Sequence, residues 1–330
     1  MVVSVICPIY NEEKHIAKTI ASFLAQKHSD FDLEILLLDG MSTDRTREII
    51  STYLPANKQL KLLDNVHRKT PYAFNIGLQH ASGDYIVLMG AHCSYDDDYI
   101  ETCLKELIRT ESAGCSGRVI PTHMSNNIQS RLVSLLLSSS FGVSSNSFRT
   151  IKEGYVHSVN FSVFKKNVLI EMGGYDTEMH RNQDNAMNQK LIDHGYKLYC
   201  TWKTSCSYFI PDTLKKIFRY AYLNGFWNVK THKKFPGSMK IYHFIPFFFL
   251  LTLTLLGAAF LFELFITGTT YAICLLFLVL GLHLFAGILA SLALFFKEQK
   301  GEAFLLPPIF FLFHFTYGYG TLRSFINTKT

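Results

Sequence analysis

Polar and acidic side chains follow four short apolar runs in the first hundred residues of the chain. The runs cover residues 2–7, 33–38, 60–63 and 85–89, and the segments after them read PIYNEE, DGMSTDRT, HRKTPYAFNIG and GAHCSYDDD. Carboxylates and cations of these kinds bind charged ligands and transfer protons. We therefore look for the chemistry of this protein in these four segments.

Asp39 stands directly after the second apolar run. A carboxylate there has no role in apolar packing and is costly to bury without a partner. Its position indicates a ligand contact. The alternative is an N-cap for the following helix, but Ser42 and Asp44 already supply residues that cap helices.

Asp184 lies in the segment RNQDNAMNQKL, ahead of Met187 and Leu191. These two apolar residues have helical spacing, so Asp184 is expected near the start of a helix. A carboxylate there can accept a proton in a reaction or can cap the helix. Both roles are open at this stage.

Glu12 and Glu13 follow the first apolar run. Acidic residues in the first turn of a helix interact favourably with its macrodipole. For these two residues we expect a structural role rather than a ligand contact.

The elements that must position these side chains alternate between strands and helices. Ile16, Ile20, Phe23 and Leu24 recur at helical spacing, and further helices are expected at about 44–53 and 71–80. The alternation predicts an α/β fold with a mostly parallel sheet covered by helices on both faces. In such sheets, ligands bind beyond the carboxyl ends of the strands.

The composition changes after Tyr242, where almost every residue becomes apolar. Stretches at about 241–266 and 271–296 are each longer than the roughly 20 residues that cross a hydrocarbon core. The sequence therefore predicts a domain at 1–210, a basic amphipathic juxtamembrane segment at 211–240 and a membrane domain at 241–330. A third apolar stretch at about 304–318 contains two prolines and is interpreted either as a short span or as a re-entrant segment.

Basic residues crowd just before the first predicted span, within a chain whose formal net charge is +6. Positive charge marks the cytosolic side of a membrane protein, so the N-terminal domain is expected in the cytosol. The alternative is a solvated basic face. No signal peptide is recognised at the N-terminus, and the seven cysteines, which form no CxxC pair, fit a reducing compartment.

Three motifs, VSVICPIYNEEKHI, EILLLDGMSTDRTREI and GDYIVLMGAHCSYDDDYI, resemble in this order those of the family 2 inverting glycosyltransferases. The later motifs NFSVFKKNVLIEMGGYD, NQDNAMNQKLIDHGYKLY and HFTYGYGTL are similar to the membrane-associated, succinoglycan-biosynthesis-type branch of that family. The resemblance covers the whole chain. It implies a GT-A nucleotide-sugar-binding domain followed by transmembrane helices.

The resemblance also implies roles for individual residues. Pro8, Tyr10 and Asp39 are expected to bind the nucleotide, with Asp39 accepting a hydrogen bond from a uracil or guanine edge. Asp184 occupies the position of the general base, which takes the proton of the acceptor hydroxyl as the sugar is transferred. The family often has Glu before this Asp, whereas this chain has Gln183.

The chain departs from the family after the fourth apolar run. The family usually has an Asp, one residue, then Asp or His, which hold a divalent cation against the diphosphate; here Gly90 and His92 occupy these positions. His92 is a poor Mg²⁺ ligand and a better one for Mn²⁺. Asp96, Asp97 and Asp98 lie close by but are typical of a helix start. Because Gly90 replaces the usual Asp, a Mg²⁺ or Mn²⁺ cofactor is in doubt.

Other candidate residues are weaker. Arg68 and Lys69 are cations that would suit a diphosphate or simply a solvated loop, and Asn75 matches a recurring family Asn of structural or ligand role. Four further residues resemble donor- or acceptor-side positions of the family: His157, Asn160, Arg219 and Trp227. For Arg219 and Trp227 the alternative is an amphipathic helix on the membrane surface.

The expected function is therefore transfer of a sugar from a nucleoside diphosphate donor to a hydroxyl of a lipid-linked or polysaccharide acceptor, with inversion. The expected partners are the donor, the acceptor and the membrane, without nucleic acid, and the expected location is a bacterial inner membrane. Two alternatives remain open. One is a polyprenyl-phosphate glycosyl synthase, and the other is a non-catalytic membrane component that retains the fold.

Overall fold

The structure, a computed structural model, describes residues 1–91, 93–123, 125, 127–143 and 152–327. The chain forms two compact units. The first unit comprises Met1–Ile120 and Ile151–Phe209, and the second comprises Pro121–Thr150 and Ile210–Thr330. The sequence-based boundary assigned 121–150 to the N-terminal domain, whereas in the structure the apolar helix in this segment packs with the C-terminal helices.

The elements alternate through the first unit and become helical in the second. The strands are β1 Val2–Ile9, β2 Asp32–Asp39, β3 Leu60–Asp64, β4 Tyr85–Leu88, β5 Cys93–Tyr95, β6 Gly114–Thr122, β7 Gly154–Val156, β8 Val163–Lys165 and β9 Leu198–Phe209. The α-helices are α1 Ile16–Leu24, α2 Thr46–Tyr53, α3 Thr70–His80, α4 Tyr99–Arg109, α5 Ile128–Ser138, α6 Lys166–Glu171, α7 Gln183–Asp193, α8 Leu214–Lys234, α9 Ile245–Phe262, α10 Tyr271–Glu298 and α11 Leu306–Ile326.

The described strands form one mixed sheet in the order β3-β2-β1-β4-β8-β6-β9-β5, with β7 paired to β9. The half formed by β3, β2, β1 and β4 is parallel, as the alternating strands and helices predict. Beyond β4 the described pairs are antiparallel. The strands of that half include three of only three residues, too short to show a periodic pattern in the sequence.

Both faces of the parallel half are buried. Ile6, Leu36 and Ile86 belong to a core cluster that also contains residues of α3 and α7. Their neighbours Val5 and Leu37 are also fully buried and point to the opposite face, because side chains alternate along a strand. This double burial explains why the strands are continuous apolar runs.

One buried charge interrupts β2. Glu34 accepts hydrogen bonds from Ser4 Oγ (2.5 Å), Lys61 Nζ (2.7 Å) and the Ser82 backbone N–H (2.8 Å). Burial alone would raise the pKa of Glu34, but these hydrogen bonds outweigh it and hold the pKa at about 2. The carboxylate thereby joins β1, β2 and β3 near the end of these strands that is opposite to Asp39.

Two helices of the second unit are long and apolar enough to cross a membrane. The first consists of α9 and the short helical turns at its two ends, and covers Ile241–Ile266; the second is α10, Tyr271–Glu298. The two predicted apolar stretches are therefore confirmed as helices. The third predicted stretch belongs to α11, which continues to Ile326. One face of α11 is buried against α8 and α9, which is why this helix is longer than its apolar segment.

Helices α8 and α11 approach each other backbone to backbone. A Cβ added to Gly320 would collide with the carbonyl oxygen of Tyr222, and one added to Gly225 would collide with that of Tyr317. Small residues allow this approach between helices in membranes. Asn228 Nδ2 also donates to the hydroxyl of Tyr317, so the contact includes a side-chain hydrogen bond.

A histidine pair joins the apolar helices. His314 Nε2 lies 2.9 Å from the carbonyl oxygen of Phe141, and His314 Nδ1 lies 3.0 Å from His283 Nε2. If His314 donates from Nε2, its Nδ1 accepts from His283. This chain of hydrogen bonds connects α10, α11 and the turn after α5.

Candidate functional site

The carboxyl ends of the parallel strands align at one edge of the sheet. Ile9 pairs with Asp39, and Asp39 pairs with Asp64, so the loops after β1, β2 and β3 begin side by side. Pro8 lies within β1, and Tyr10, just beyond it, is 45% exposed. The structure therefore brings Pro8, Tyr10 and Asp39 together at the edge where the fold binds ligands.

Asp39 is fully buried, and its carboxylate accepts hydrogen bonds from other residues of the protein. Its carboxylate accepts from Ser42 Oγ (2.5 Å), from the Ser42 backbone N–H (3.1 Å) and from Arg47 Nη1 (2.6 Å). The same guanidinium nitrogen lies 2.7 Å from Asp64 Oδ1. Because no part of Asp39 is exposed, a ligand can reach its carboxylate only if the surrounding residues move.

Arg47 was missed from the sequence, although a signal was present. It lies in the first turn of α2, where a cation opposes the macrodipole of the helix. A basic residue at that position suggests an acidic partner nearby. The hydrogen bonds to Asp64 and Asp39 raise the pKa of Arg47, so its charge is secured.

The loops after β1 and β2 are joined by reciprocal hydrogen bonds. Asn11, with a positive φ of 55°, donates from its backbone to Ser42 Oγ (2.9 Å), and its side-chain oxygen accepts from the backbone of Thr43 (2.9 Å). Glu12 donates from its backbone N–H to Thr46 Oγ1 (2.7 Å). Glu13 donates from its backbone N–H to Asp44 Oδ2 (3.1 Å), and its side chain accepts from the backbone N–H of Arg45 (3.3 Å). Because α1 begins only at Ile16, Glu12 and Glu13 connect loops instead of starting a helix.

Arg68 and Lys69 are exposed in the loop between β3 and α3. Arg68 has a positive φ of 57°, and Asn65 fixes this loop by donating to the carbonyl oxygen of Lys69 (3.0 Å). The backbone of Asn65 donates in turn to the carbonyl oxygen of Asp39 (2.8 Å). Both cations therefore belong to a loop that is anchored beside Asp39.

Asn75 has a structural role. Its side chain accepts from the backbone N–H of Tyr175 (2.7 Å) and donates to the carbonyl oxygen of Tyr175 (2.8 Å). Gly174, with φ of 71°, leaves the room for this contact, because a Cβ there would lie 2.7 Å from Asn75 Oδ1. Asn75 thus fixes the segment before α7 to α3.

An aromatic ring lies close to Gly90. A Cβ added to Gly90 would lie 3.2 Å from Cε1 of Phe161, and its backbone N–H donates to the hydroxyl of Tyr95 (2.7 Å). Phe161 has a positive φ of 55° and accepts a hydrogen bond from the Tyr99 hydroxyl (2.8 Å) through its carbonyl oxygen. The ring of Phe161 therefore lies beside the position where the family has its first carboxylate.

Asp184 is half-buried in the first turn of α7. Asn160 Nδ2 donates to its Oδ2 (3.1 Å). Burial raises the pKa of Asp184 to about 6, although the hydrogen bond from Asn160 opposes this shift. Asn182 is the N-cap residue of α7, so capping does not account for Asp184.

Asn160 and Phe161 connect the two halves of the site. Asn160 contacts Asp184, and the next residue, Phe161, lies against Gly90. Asn188 supports this segment by donating to Ser158 Oγ (2.9 Å) and to the carbonyl oxygen of Val159 (3.0 Å). His157, three residues before Asn160, is exposed.

The described residues fit a divalent cation poorly at this place. Gly90 has no side-chain ligand to offer, and His92 lies outside the described residues. Asp96 accepts from Ser205 Oγ (2.8 Å) and Asp98 accepts from Thr204 Oγ1 (2.8 Å), so these two carboxylates hold β9 instead of capping α4 with their side chains. Within the described parts of the chain, no group of three potential metal ligands occurs.

Arg219 and Trp227 both lie on α8, in the second unit. Arg219 is exposed, and Trp227 is half-buried with Lys230 Nζ 5.2 Å from its ring centroid. α8 has apolar residues on one side, including Ile217, Ala221 and Val229, as expected for an amphipathic helix.

Several characterised proteins are similar to this chain. It is 28% identical over 98% of its length to the dolichyl N-acetyl-α-D-glucosaminyl phosphate 3-β-D-2,3-diacetamido-2,3-dideoxy-β-D-glucuronosyltransferase of Methanococcus voltae, of which it covers 97%. It is 25% identical to the succinoglycan biosynthesis protein ExoA of Rhizobium meliloti, over 71% of this chain and 72% of that protein.

The fold is shared with a solved glycosyltransferase. The mannosyltransferase of Pyrobaculum calidifontis, in complex with GDP-Man and Mn²⁺, matches 99% of this chain and 88% of its own length with a TM-score of 0.61 and 17% identity. The model of glycosyl transferase family 2 matches residues 4–172, which include the parallel half of the sheet except the first two residues of β1. The chain therefore belongs to glycosyl transferase family 2, an inverting family of enzymes.

Proposed function

We propose that this enzyme transfers a sugar from a nucleoside diphosphate donor to a hydroxyl of a lipid-linked or polysaccharide acceptor, with Asp184 as the general base. The relative from Methanococcus voltae is named for a lipid-linked sugar acceptor, and ExoA is named for polysaccharide biosynthesis. Both names support an acceptor that is itself a glycan. The reaction inverts the configuration at the transferred sugar.

The pair formed by Asp184 and Asn160 carries the proposal. In a single in-line displacement, the acceptor oxygen attacks the anomeric carbon while its proton moves to a base, and the bond to the diphosphate breaks. The hydrogen bond from Asn160 fixes Oδ2 of Asp184, and the proposal assigns the proton to Oδ1. A pKa of about 6 leaves the carboxylate ionised at neutral pH and basic enough to accept a proton.

The donor is proposed to bind at the edge formed by Pro8, Tyr10 and Asp39. Its nucleobase would take the place of Arg47 or Ser42 at the Asp39 carboxylate. Arg68 and Lys69 are proposed to stabilise the negative charge that develops on the departing diphosphate. Because the described residues fit a divalent cation poorly, no step of this mechanism depends on a metal ion.

The apolar helices are proposed to cross the membrane twice and to hold the catalytic unit on the cytosolic side. The basic residues of α8 precede the first span, Lys297 lies in the last turn of the second, and Lys300 follows it. A membrane-bound enzyme of this orientation meets cytosolic nucleotide sugars and an acceptor whose lipid lies in the same membrane.

The test is transfer by the purified full chain with a panel of nucleoside diphosphate sugars and a membrane lipid extract as acceptor source. Asp184→Asn is expected to lower the rate by about 10²- to 10⁴-fold, the usual contribution of a positioned base. Asp193→Asn, at the other end of α7, is the matched control and should keep full activity. Full activity of Asp184→Asn would favour a phosphate acceptor, which needs no base, and absence of turnover in the unmodified chain would exclude the proposal.

A further inference from the structure

A groove of about 380 Å³ lies in the second unit, where the end of α8 meets the start of α9. Its walls include Phe244, Phe247, Phe248 and Phe325. The side chains of Phe248 and Phe325 are 49% and 44% exposed, so this aromatic surface is open. The volume is in the lower part of the range of small-ligand pockets, about 300–1,000 Å³.

Basic residues of α8 border the same groove. His232 lines it and packs edge-on against Phe244, with ring centroids 5.7 Å apart. Lys233 Nζ lies 6.0 Å from the ring centroid of Phe325, so its charge is next to the aromatic wall. Lys230, one helical turn earlier, extends the cationic row along α8.

With α9 crossing the membrane, as proposed above, the groove would lie where the head groups meet the hydrocarbon. Phe247 and Phe248 belong to the first turn of α9, the beginning of the first apolar helix, whereas His232 and Lys233 belong to the basic last turn of α8. Basic pockets beside transmembrane helices on the cytosolic side bind lipid phosphates. A free phosphate would not need the aromatic walls, and a neutral hydrocarbon would not need the lysines.

We propose that this groove binds the phosphate and the first hydrocarbon units of an isoprenoid phosphate lipid, the carrier of the acceptor glycan. Lys233 contacts the phosphate, and Phe325 and Phe248 contact the hydrocarbon. The identity of the lipid as the acceptor's carrier rests on the proposed function. Binding of a lipid phosphate in the groove does not depend on the proposed function.

The binding experiment uses the full chain in detergent, titrated with farnesyl phosphate and followed by native mass spectrometry. Farnesyl phosphate should bind more tightly than farnesol or inorganic phosphate. Lys233→Gln should lower the affinity for farnesyl phosphate about tenfold, the effect of losing one charged hydrogen bond, without changing the affinity for farnesol. Phe325→Ala should lower the affinity for both farnesyl phosphate and farnesol.

The matched control is Lys215→Gln, which removes an exposed lysine from the first turn of the same helix and should change nothing. Equal affinity of the unmodified chain and Lys233→Gln for farnesyl phosphate would overturn the proposal. Displacement of farnesyl phosphate by an equal concentration of phosphatidylglycerol would overturn it as well, because it would show a site for any anionic lipid.

A transfer assay separates this inference from the proposed function. With a lipid-phosphate-linked acceptor, Lys233→Gln should raise KM about tenfold and leave kcat unchanged, the loss of one ground-state contact. With octyl N-acetylglucosaminide, which lacks the phosphate, this variant should match the unmodified chain. Transfer to the lipid-linked acceptor that is unaffected by Lys233→Gln overturns the inference alone, whereas absence of transfer to every acceptor overturns the proposed function alone.

Discussion

The guanidinium of Arg47 lies 2.6 Å from the carboxylate of Asp39, the residue that is expected to bind the nucleobase. Asp39 is fully buried, whereas Arg47 is 39% exposed and also reaches Asp64. The ion pair therefore covers the carboxylate that is proposed to bind the nucleobase. Binding of a nucleotide at Asp39 would exchange one partner of this carboxylate for another.

The first prediction concerns this exchange. Arg47→Ala should lower the thermal stability of the unliganded protein, because it leaves a buried carboxylate with one partner fewer. It should also increase the affinity for UDP or GDP in calorimetric titration, since the nucleobase no longer competes with the guanidinium. Arg45→Ala, which removes an exposed pair with Glu48, is the control. Weaker nucleotide binding by Arg47→Ala would show that Arg47 itself holds the nucleotide.

The second prediction concerns the stability cost of Asp184. An acid whose folded pKa of about 6 exceeds its unfolded value of roughly 3.9 binds a proton more tightly in the folded state. Its contribution to folding stability is therefore lost as the pH rises from about 4 to about 6. Asp184→Asn should raise the unfolding temperature at pH 7 and lose this advantage at pH 4. A lower unfolding temperature at pH 7 would contradict the desolvated environment of Asp184.

The third prediction concerns metal dependence. Transfer should persist through most of an EDTA titration, because Gly90 lacks the side-chain carboxylate of the family pattern. Gly90→Asp alone should gain little Mn²⁺ affinity, since its Cβ would lie 3.2 Å from the Phe161 ring. Gly90→Asp combined with Phe161→Ala should bind Mn²⁺ more tightly in calorimetric titration. Complete loss of transfer in EDTA, restored by Mn²⁺ in the unmodified chain, would show that other residues hold a metal.

The fourth prediction concerns the contact between α8 and α11. Gly320→Ala places a methyl group against the carbonyl oxygen of Tyr222 and should destabilise the full chain in detergent by about 1–3 kcal/mol, the usual cost of overpacking. Gly281→Ala on α10 is the control, since no atom lies within 4 Å of the added Cβ. Equal unfolding temperatures of the two variants would contradict the close helix crossing.

Much of the fold could be predicted because its parallel half is buried on both faces. Continuous apolar runs in β1 and β2, separated by an amphipathic helix, are visible in the sequence alone. The antiparallel half was harder, because β5, β7 and β8 have three residues each. The apolar stretch at about 304–318 is shorter than α11, because the helix continues through Gly318 and Gly320, which allow close packing against α9 and α8.

The site shows a similar division. Asp39 and Asp184 stand out in the sequence because acidic residues at the ends of buried elements need a partner or a function. Phe161 does not stand out, because its importance depends on contacts with residues far away in the sequence. Arg47 carries a signal, as a cation in the first turn of α2, but its partners Asp39 and Asp64 cannot be read from that signal. The backbone conformation of Phe161, with its positive φ, could not be read from a residue type that rarely adopts it.

The most direct test of Asp184 as the general base is the pH dependence of kcat/KM, which reports the pKa of the free enzyme. The unmodified chain should lose activity below an inflection near pH 6, as the carboxylate becomes protonated. Asn160→Ala should move this inflection to higher pH, because the hydrogen bond from Asn160 opposes the effect of burial. An inflection that stays at the same pH in Asn160→Ala, or a rate that is independent of pH between 5 and 8, would contradict the account.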